Sequence, residues 1–300
     1  MPSLMFYLFR SMMPFLKRSQ ARVPVHDIDA LVRFRQRSER LADRWMPLPR
    51  DVTFENANIG GVAGDWLIPP DAPDDPVIAF LHGGGIIFGW SNANRRILAY
   101  IARFAGLRAF GVDYRLAPDH RYPAAHDDGF AVYQALVQRG KRVVLIGESS
   151  GGVLALATLL RARAEGLPQP PLCALISPTV DYGFEDMRVW NANDVFAHPR
   201  FALELHKHYV AGNDTRLPDL SPVYADLSGL APLYVWVAEN GLLRSEAERL
   251  AEAAKRHDLK MELVLCPHVW HGWHVFVPLL PEATQALKML GGVIRQHISG

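Results

Sequence analysis

From about residue 76 onward, short apolar runs rich in β-branched and aromatic residues alternate with longer helical patterns, and each run is bounded by turn residues. The predicted strands are Val77–Leu81, Arg108–Tyr114, Val143–Gly147, Leu172–Ile176, Leu233–Ala238 and Met261–Cys266, with extra edge strands at Asp51–Glu55 and Ala63–Leu67. The predicted helices are Arg95–Phe104, Ala125–Gln138, Gly152–Ala164, Leu243–Arg256 and Glu282–Gln296. This alternation predicts the α/β class, with a mostly parallel central sheet flanked by helices.

The alternation breaks once, between Asp181 and Asp219, where a helical pattern at Phe201–Val210 occurs without a strand. Residues 1–50 also have helical patterns and no strand. Ligands of open α/β sheets bind beyond the carboxyl ends of the strands, so we expect both segments to form a helical cap over a pocket there. The predicted division is a cap of residues 1–50 and about 179–218, and an α/β domain of residues 51–178 and 219–300.

The charge balance and the cysteine content limit which binding partners and which cellular compartment are expected. The 32 basic and 31 acidic residues nearly cancel, so the chain has no basic field that would hold nucleic acid. Cys173 and Cys266 lie in separate apolar runs and form no C-x-x-C pattern. They favour buried free thiols and a reducing compartment, which predicts a cytoplasmic protein. A homodimer is a candidate assembly that these features leave open.

The first 20 residues, MPSLMFYLFRSMMPFLKRSQ, are the most apolar end of the chain. Arg10 interrupts the apolar run, which is too short to span a bilayer. An amphipathic helix that packs on the α/β domain is the first interpretation, and peripheral membrane contact is the alternative.

The segment that carries most of the chemistry reads Gly147-Glu148-Ser149-Ser150-Gly151. It matches G-x-S-x-G and lies between an apolar strand and a helix, where a nucleophile elbow must lie. Glycines let the chain turn sharply beside the serine, which exposes its hydroxyl. We therefore predict Ser149 as the nucleophile rather than its neighbour Ser150.

A second segment, His82-Gly83-Gly84-Gly85, directly follows the strand Val77–Leu81. Bare glycine backbone can approach a substrate carbonyl closely, and an acyl-transfer transition state needs N–H donors at its oxyanion. The amides of Gly84, Gly85 and Ser150 are the predicted donors. His82 is predicted to be structural.

Three motifs in order resemble the bacterial hormone-sensitive-lipase family of esterases: HGGG at 82–85, the run DYRLAPDH at 113–120 followed by YPAA at 122–125, and GESSGG at 147–152. The resemblance covers about residues 60–300. It implies the α/β-hydrolase fold with a helical cap, a Ser-acid-His triad, and hydrolysis of carboxylic esters with short or medium acyl chains. Glu148-Ser149-Ser150 stands where the family most often has Asp-Ser-Ala.

The general base follows the last strand in the hydrolase order, and the loop after Met261–Cys266 holds three histidines. Similarity to the family's terminal His-Gly-Phe pattern selects His271, with His268 and His274 as alternatives. The three are spaced by three residues, as metal ligands can be, but no paired second motif fixes a zinc geometry. No metal and no organic cofactor are therefore expected.

The acid is the member that the sequence does not supply in its usual place. In the family a carboxylate occupies the loop after the strand Leu233–Ala238, and the alignment places Gly241 at that position. Glu239, two residues earlier, is the tentative acid. Asn240 as a neutral acceptor and Glu246 are alternatives. Glu246 and Glu248 otherwise fit exposed helix carboxylates that pair with Arg244 and Arg249.

The predicted function is therefore that of a serine carboxylesterase that hydrolyses small esters through an acyl-enzyme. A ligand-binding protein of the same fold with weakened chemistry is one alternative, because Gly241 leaves the acid in doubt. A lactone or amide hydrolase with the same mechanism is another.

Overall fold

The computed structural model describes residues 2–45, 48–183 and 194–299. In these ranges one sheet has eight strands: β1 (Thr53–Ile59), β2 (Val62–Ile68), β3 (Val77–Leu81), β4 (Arg108–Val112), β5 (Val143–Glu148), β6 (Cys173–Ile176), β7 (Leu233–Ala238) and β8 (Met261–Cys266). Their order is β1-β2-β4-β3-β5-β6-β7-β8. β2 pairs antiparallel with β1 and β4, and all other pairs are parallel. The predicted α/β class with a mostly parallel sheet is confirmed.

The helices are α1 (Leu4–Ala21), α2 (Ile28–Trp45), α3 (Asn92–Ala105), α4 (Ala124–Gln138), α5 (Ser150–Ala164), α6 (Pro199–Val210), α7 (Arg244–Arg256) and α8 (Pro281–Ile298). Strands β3, β5, β6 and β7 are buried along their whole length, because helices cover both faces of the sheet. Side chains of α4, α5 and α7 pack into the core on one face, and those of α3 and α8 pack on the other. The parallel register aligns the carboxyl ends of β3, β5, β6, β7 and β8, so their following loops meet at one edge.

The segments predicted as a cap make their own contacts with this framework. α1 inserts Phe6 and Met13 into the core beside α8. The Phe34 ring of α2 lies 6.0 Å from Phe88 and 5.8 Å from Phe201 of α6. These contacts join α2 and α6 beside the loop that follows β3. The division into cap and α/β domain stays a prediction, and residues 46–47 and 184–193 of the predicted cap lie outside the described residues.

Glu246 corrects a prediction, since it is buried rather than exposed. It lies on the face of α7 that carries Leu250 and the buried alanines, and its carboxylate accepts hydrogen bonds from the backbone of Val180 (2.6 Å) and Asp181 (3.3 Å). Burial raises the pKa of Glu246 to about 8. The residue therefore holds the start of the long β6–β7 connection and does not belong to the exposed face of α7.

The two charged pairs predicted for α7 have different outcomes. Glu248 accepts from Arg244 at 2.8 Å on the surface, as predicted. Arg249 instead reaches the buried Asp181, 2.6 Å away, at the start of the β6–β7 connection.

The cysteines and α1 match their predictions in part. Cys173 and Cys266 are both free thiols, but only Cys173 is buried, because Cys266 ends the edge strand β8. α1 is an amphipathic helix that packs on the α/β domain. None of the helices in the described ranges is long and apolar enough to cross a membrane.

Candidate active site

The candidate nucleophile lies at the sharp turn between β5 and α5. β5 ends at Glu148 and α5 begins at Ser150, so Ser149 is the single residue between them, with φ +50° and ψ −118°. A non-glycine residue in this region of φ is strained by about 1–3 kcal/mol, which is typical of functional sites. A Cβ at Gly151 would lie 2.0 Å from the Leu81 carbonyl oxygen, so only glycine lets α5 approach β3 this closely.

The side chain of His271 meets this serine. His271 Nε2 lies 3.2 Å from Ser149 Oγ, which is within hydrogen-bond reach. Burial lowers the pKa of His271, while the negative charges of Asp194 and Glu148 act in the opposite direction. A His271 with a lowered pKa is neutral near pH 7 and can accept the serine proton.

The two alternative histidines of the same loop have other surroundings. His268 is exposed, and its carbonyl oxygen accepts a hydrogen bond from Arg10 at 3.4 Å. His274 is fully buried, and its Nε2 lies 3.0 Å from the Glu148 carboxylate. His271 is thus the member of the trio that the fold brings to Ser149. In the described ranges no cluster of three or more His, Cys, Asp or Glu side chains could hold a metal ion.

The glycine loop lies beside the elbow with the backbone geometry expected of an oxyanion hole. Gly84 and Gly85 have φ of +120° and +65°. Within the described residues their N–H groups donate to no backbone or side-chain acceptor. Ser150 is the first residue of α5, and the first N–H groups of a helix have no partner within it. The loop and the helix N-terminus therefore bring together the N–H groups of Gly84, Gly85 and Ser150, and their role as oxyanion donors stays a prediction.

His82 supports this loop from within the core. It is fully buried, its ring stacks on Tyr114 at 4.2 Å, and its Nδ1 lies 2.8 Å from the Gly83 carbonyl oxygen. The Tyr114 hydroxyl donates to the His82 carbonyl oxygen at 2.7 Å. Burial lowers the pKa of His82 to about 4, so the ring is neutral and serves as packing.

The loop after β7 does not bring its predicted acid to His271. The Glu239 N–H still donates to Cys266 of β8 at 2.8 Å, so this residue remains in the strand ladder. In the described part of the chain the Glu239 carboxylate and the Asn240 amide form no hydrogen bond with His271. Gly241 occupies the turn itself, where its N–H donates to Ala238 at 2.9 Å.

The carboxylate that does lie against His271 belongs to Asp194, a residue of the β6–β7 connection. Asp194 Oδ2 accepts from the backbone N–H groups of His271 and Leu242, each at 2.9 Å. Asp194 was not among the residues predicted for the site. Its only local signal is that an aspartate stands at the start of Asp194-Val195-Phe196-Ala197. Aspartate side chains often accept hydrogen bonds from backbone N–H groups two residues further on and so stabilise a turn. That signal does not connect the residue with position 271.

Comparisons with known proteins show which family the chain is similar to. The family model for the alpha/beta hydrolase fold matches residues 78–275. The acetyl-hydrolase of Streptomyces hygroscopicus is 31% identical over 252 residues, which are 82% of this chain and 83% of that protein. The crystal structure of EstE5 soaked with ethyl alcohol superposes with a TM-score of 0.91 at 30% identity, over 99% of this chain and 100% of that one. The structure of an esterase from the bacterial hormone-sensitive lipase family gives 0.85 at 32% identity, over 96% and 98%.

Proposed function

The chain belongs to the bacterial hormone-sensitive-lipase family of the alpha/beta hydrolase fold, and on this premise we propose that it is a serine carboxylesterase. The observation that carries the proposal is the 3.2 Å separation between Ser149 Oγ and His271 Nε2. A serine that is strained into a sharp turn and faces a neutral imidazole is a nucleophile with its base in place.

The reaction follows from these positions. Ser149 Oγ attacks the ester carbonyl while its proton passes to His271 Nε2. Negative charge develops on the carbonyl oxygen, and the amides of Gly84, Gly85 and Ser150 stabilise it. His271 then gives the proton to the leaving alcohol, and an acyl-enzyme forms. Water, deprotonated by His271, attacks the acyl carbonyl. His271 then returns this proton to Ser149 Oγ as the bond between Oγ and the acyl carbon breaks and the carboxylic acid leaves.

Short- to medium-chain esters are the substrate class that we propose. Apolar rings form a wall near the glycine loop, with Phe88 and Phe201 6.3 Å apart. The Leu205 side chain lies so close to Gly85 that a Cβ there would be 2.9 Å from Leu205 Cδ1. Apolar walls suit the acyl chain, and α6 limits the room above the oxyanion loop. The name of the Streptomyces relative, an acetyl-hydrolase, supports the short end of this range.

The experiment uses p-nitrophenyl esters from acetate to a long acyl chain. We expect wild type to release p-nitrophenol with highest kcat/KM at short or medium chain length. Ser149→Ala should fall to the background rate. Ser228→Ala, which changes an exposed serine away from the site, is the matched control and should match wild type. Equal activity in wild type and Ser149→Ala would contradict the proposal.

A ligand-binding role without turnover loses its main support. That alternative rested on the absence of an acid at Gly241, and Asp194 places a carboxylate beside His271. A lactone or amide substrate would use the same Ser149 and His271, so assays with a γ-lactone and an anilide belong in the same series.

We also propose that α1 touches a membrane surface from outside. Leu4, Tyr7, Leu8, Met12 and Phe15 are all more than half exposed and follow one stripe of the helix. Residues 1–26 contain four basic side chains and no acidic one. An exposed apolar stripe with flanking basic charge suits an interface that contains anionic lipid.

The assembly and the compartment remain proposals as well. We propose a homodimer, which light scattering coupled to size-exclusion chromatography tests. Its support is the edge strand β8, whose outer side pairs with no described strand and which exposes Leu265. The two free thiols support a reducing compartment such as the cytoplasm.

A further inference from the structure

We propose that Asp194, on the connection between β6 and β7, is the positioning carboxylate for His271, in place of a residue in the loop after β7. This inference rests on the proposed function and concerns the third member of its catalytic set. It places the acid on the same predicted cap that encloses the substrate.

Asp194 occupies the space that the loop after β7 leaves open. The residue next to Gly241 is Leu242, whose N–H donates to Asp194 Oδ2 at 2.9 Å. A side chain at Gly241 would be crowded, because a Cβ there would lie 2.9 Å from the Cβ of Ala238 and 3.1 Å from its carbonyl oxygen. The carboxylate thus reaches the usual acid position from outside, while the local chain has no room to supply one.

The same carboxylate oxygen is fixed to the histidine. Asp194 Oδ2 accepts from the backbone N–H of His271 at 2.9 Å. Oδ1 accepts from the N–H groups of Phe196 (2.8 Å) and Ala197 (2.9 Å). Four backbone donors therefore hold a carboxylate that is only 1% exposed. These hydrogen bonds fix the position of the carboxylate beside His271.

The imidazole needs this acceptor. With Nε2 directed at Ser149, the second ring nitrogen Nδ1 is buried and has no hydrogen-bond partner in the described residues. A histidine that takes a proton at Nε2 must carry its own proton on Nδ1, and a carboxylate next to Nδ1 fixes that tautomer. Catalytic hydrogen bonds are often long before substrate binds. Among the charged groups that act on His271, Asp194 has the largest influence, ahead of Glu148.

The helix α1 holds the segment that carries the acid. The Lys17 ammonium group donates to the carbonyl oxygen of Asp194. Four residues further along the chain, the His198 N–H donates to the side-chain oxygen of Gln20 at 3.0 Å. Two parts of the predicted cap therefore place the carboxylate together, and the catalytic set is complete when they are seated on the α/β domain.

The test compares Asp194→Asn with three controls on the full chain. Glu239→Gln and Asn240→Ala remove the candidates in the loop after β7. Asp181→Asn changes another buried aspartate of the same connection, whose partner is Arg249. We expect kcat on p-nitrophenyl butyrate to fall about 10³- to 10⁴-fold in Asp194→Asn with KM changed less than about threefold. The loop variants should keep wild-type kcat, and Asp181→Asn should lose only thermal stability.

A second measurement separates this inference from the proposed function. Titration of the His271 ring by NMR needs no turnover. Loss of the Asp194 charge should lower the pKa of His271, whereas Glu239→Gln should leave it unchanged. Asp194→Asn with kcat within about threefold of wild type, or an unchanged His271 titration, overturns the inference. If Asp194→Asn does not fold, the loop variants decide: full kcat in both supports Asp194, and a large loss in either overturns it.

Failure of the proposed function has a different signature. In that case Ser149→Ala and wild type hydrolyse esters equally, while the His271 titration still responds to Asp194→Asn. The two hypotheses can therefore fail separately.

Discussion

Glu148 and His274 form a buried pair directly behind the nucleophile, with Oε1 of the glutamate 3.0 Å from Nε2 of the histidine. The Gly83 N–H also donates to this carboxylate. The pair thus joins three loops: the elbow at Ser149, the glycine loop and the loop of His271. Burial by itself would raise the pKa of Glu148, but the hydrogen bond and charge of His274 hold it below its ordinary value. One carboxylate therefore holds the relative positions of Ser149, the loop of His271 and the glycine loop.

The first prediction removes that carboxylate. We expect Glu148→Ala to lower the free energy of unfolding by about 3–5 kcal/mol, because it leaves a buried partner uncompensated. Glu165→Ala is the control, since its pair with Arg161 is exposed and worth about 0–1 kcal/mol. Urea denaturation followed by circular dichroism measures both. Equal losses of unfolding free energy in the two variants would show that the buried pair stabilises the fold no more than an exposed pair does.

The same pair gives the stability a pH dependence with a defined sign. The pKa of Glu148 is lower in the folded protein than its ordinary value of 4.5. Its contribution is therefore fully present above about pH 4.5 and is lost as pH falls through the folded value. The difference between wild type and Glu148→Gln should shrink over that acid range in denaturation curves. A difference that grows toward low pH would contradict the assignment.

A second prediction concerns the oxyanion loop. Gly85→Ala and Gly140→Ala both place a side chain at a positive φ, +65° and +75° respectively. The first new Cβ would meet Leu205 at 2.9 Å, whereas the second has nothing within 4 Å. Both should lose about 1–2 kcal/mol of stability. Only Gly85→Ala should also lose kcat, by about 10²- to 10³-fold if one N–H donor is displaced. Similar kcat values for the two variants would exclude an oxyanion role for Gly85.

A third prediction follows from the surroundings of His271. Because burial lowers its pKa below 6.5, the neutral base persists into mildly acidic solution. The plot of log kcat/KM against pH should therefore rise with pH and bend at a midpoint below 6.5. Circular dichroism at each pH shows whether the enzyme remains folded. A midpoint clearly above 6.5 would mean that the nearby carboxylates outweigh burial.

A fourth prediction tests the membrane-facing stripe of α1. Replacement of Leu8 and Phe15 by serine, both more than half exposed, should weaken binding to vesicles that contain phosphatidylglycerol at least about tenfold. Leu265→Ser changes an exposed side chain on β8 and should have no effect. Flotation with and without phosphatidylglycerol measures the binding. Absence of wild-type binding to anionic vesicles would refute the lipid contact.

The parts of the fold that local sequence determines were predicted closely. The ends of β7 and β8 agree residue for residue with the prediction, because each is an apolar run between turn residues. α3 begins at Asn92, three residues before the predicted start at Arg95. The first turn of α3 is mostly polar, so it lacks the helical spacing of apolar residues on which the prediction relied. The burial of Glu246 could have been predicted from helical spacing. The residue lies four positions before Leu250 and seven before Ala253, and both of these are buried.

The residues of the candidate site also differ in how far local sequence determines their position. Ser149 and the glycine loop lie immediately after a strand, and His271 lies in the loop after β8, so local pattern and chain order locate them. Asp194 lies in a connection that has no strand, and its contact with His271 spans 77 residues. The family resemblance placed the acid in the loop after β7, and only the folded path of the insertion shows that Asp194 lies against His271.

The hydrogen bond from the Leu242 N–H to Asp194 ties the insertion after β6 to the loop after β7, which restricts how the insertion can change in evolution. In a protein whose acid lies after β7, the insertion after β6 can be exchanged for another, and the catalytic groups stay behind. Here the insertion carries one of the catalytic groups. A change in this one segment would therefore alter both the substrate preference and the catalytic activity. A relative's insertion grafted into this framework would have to bring its own carboxylate, because a side chain at Gly241 would be crowded by Ala238.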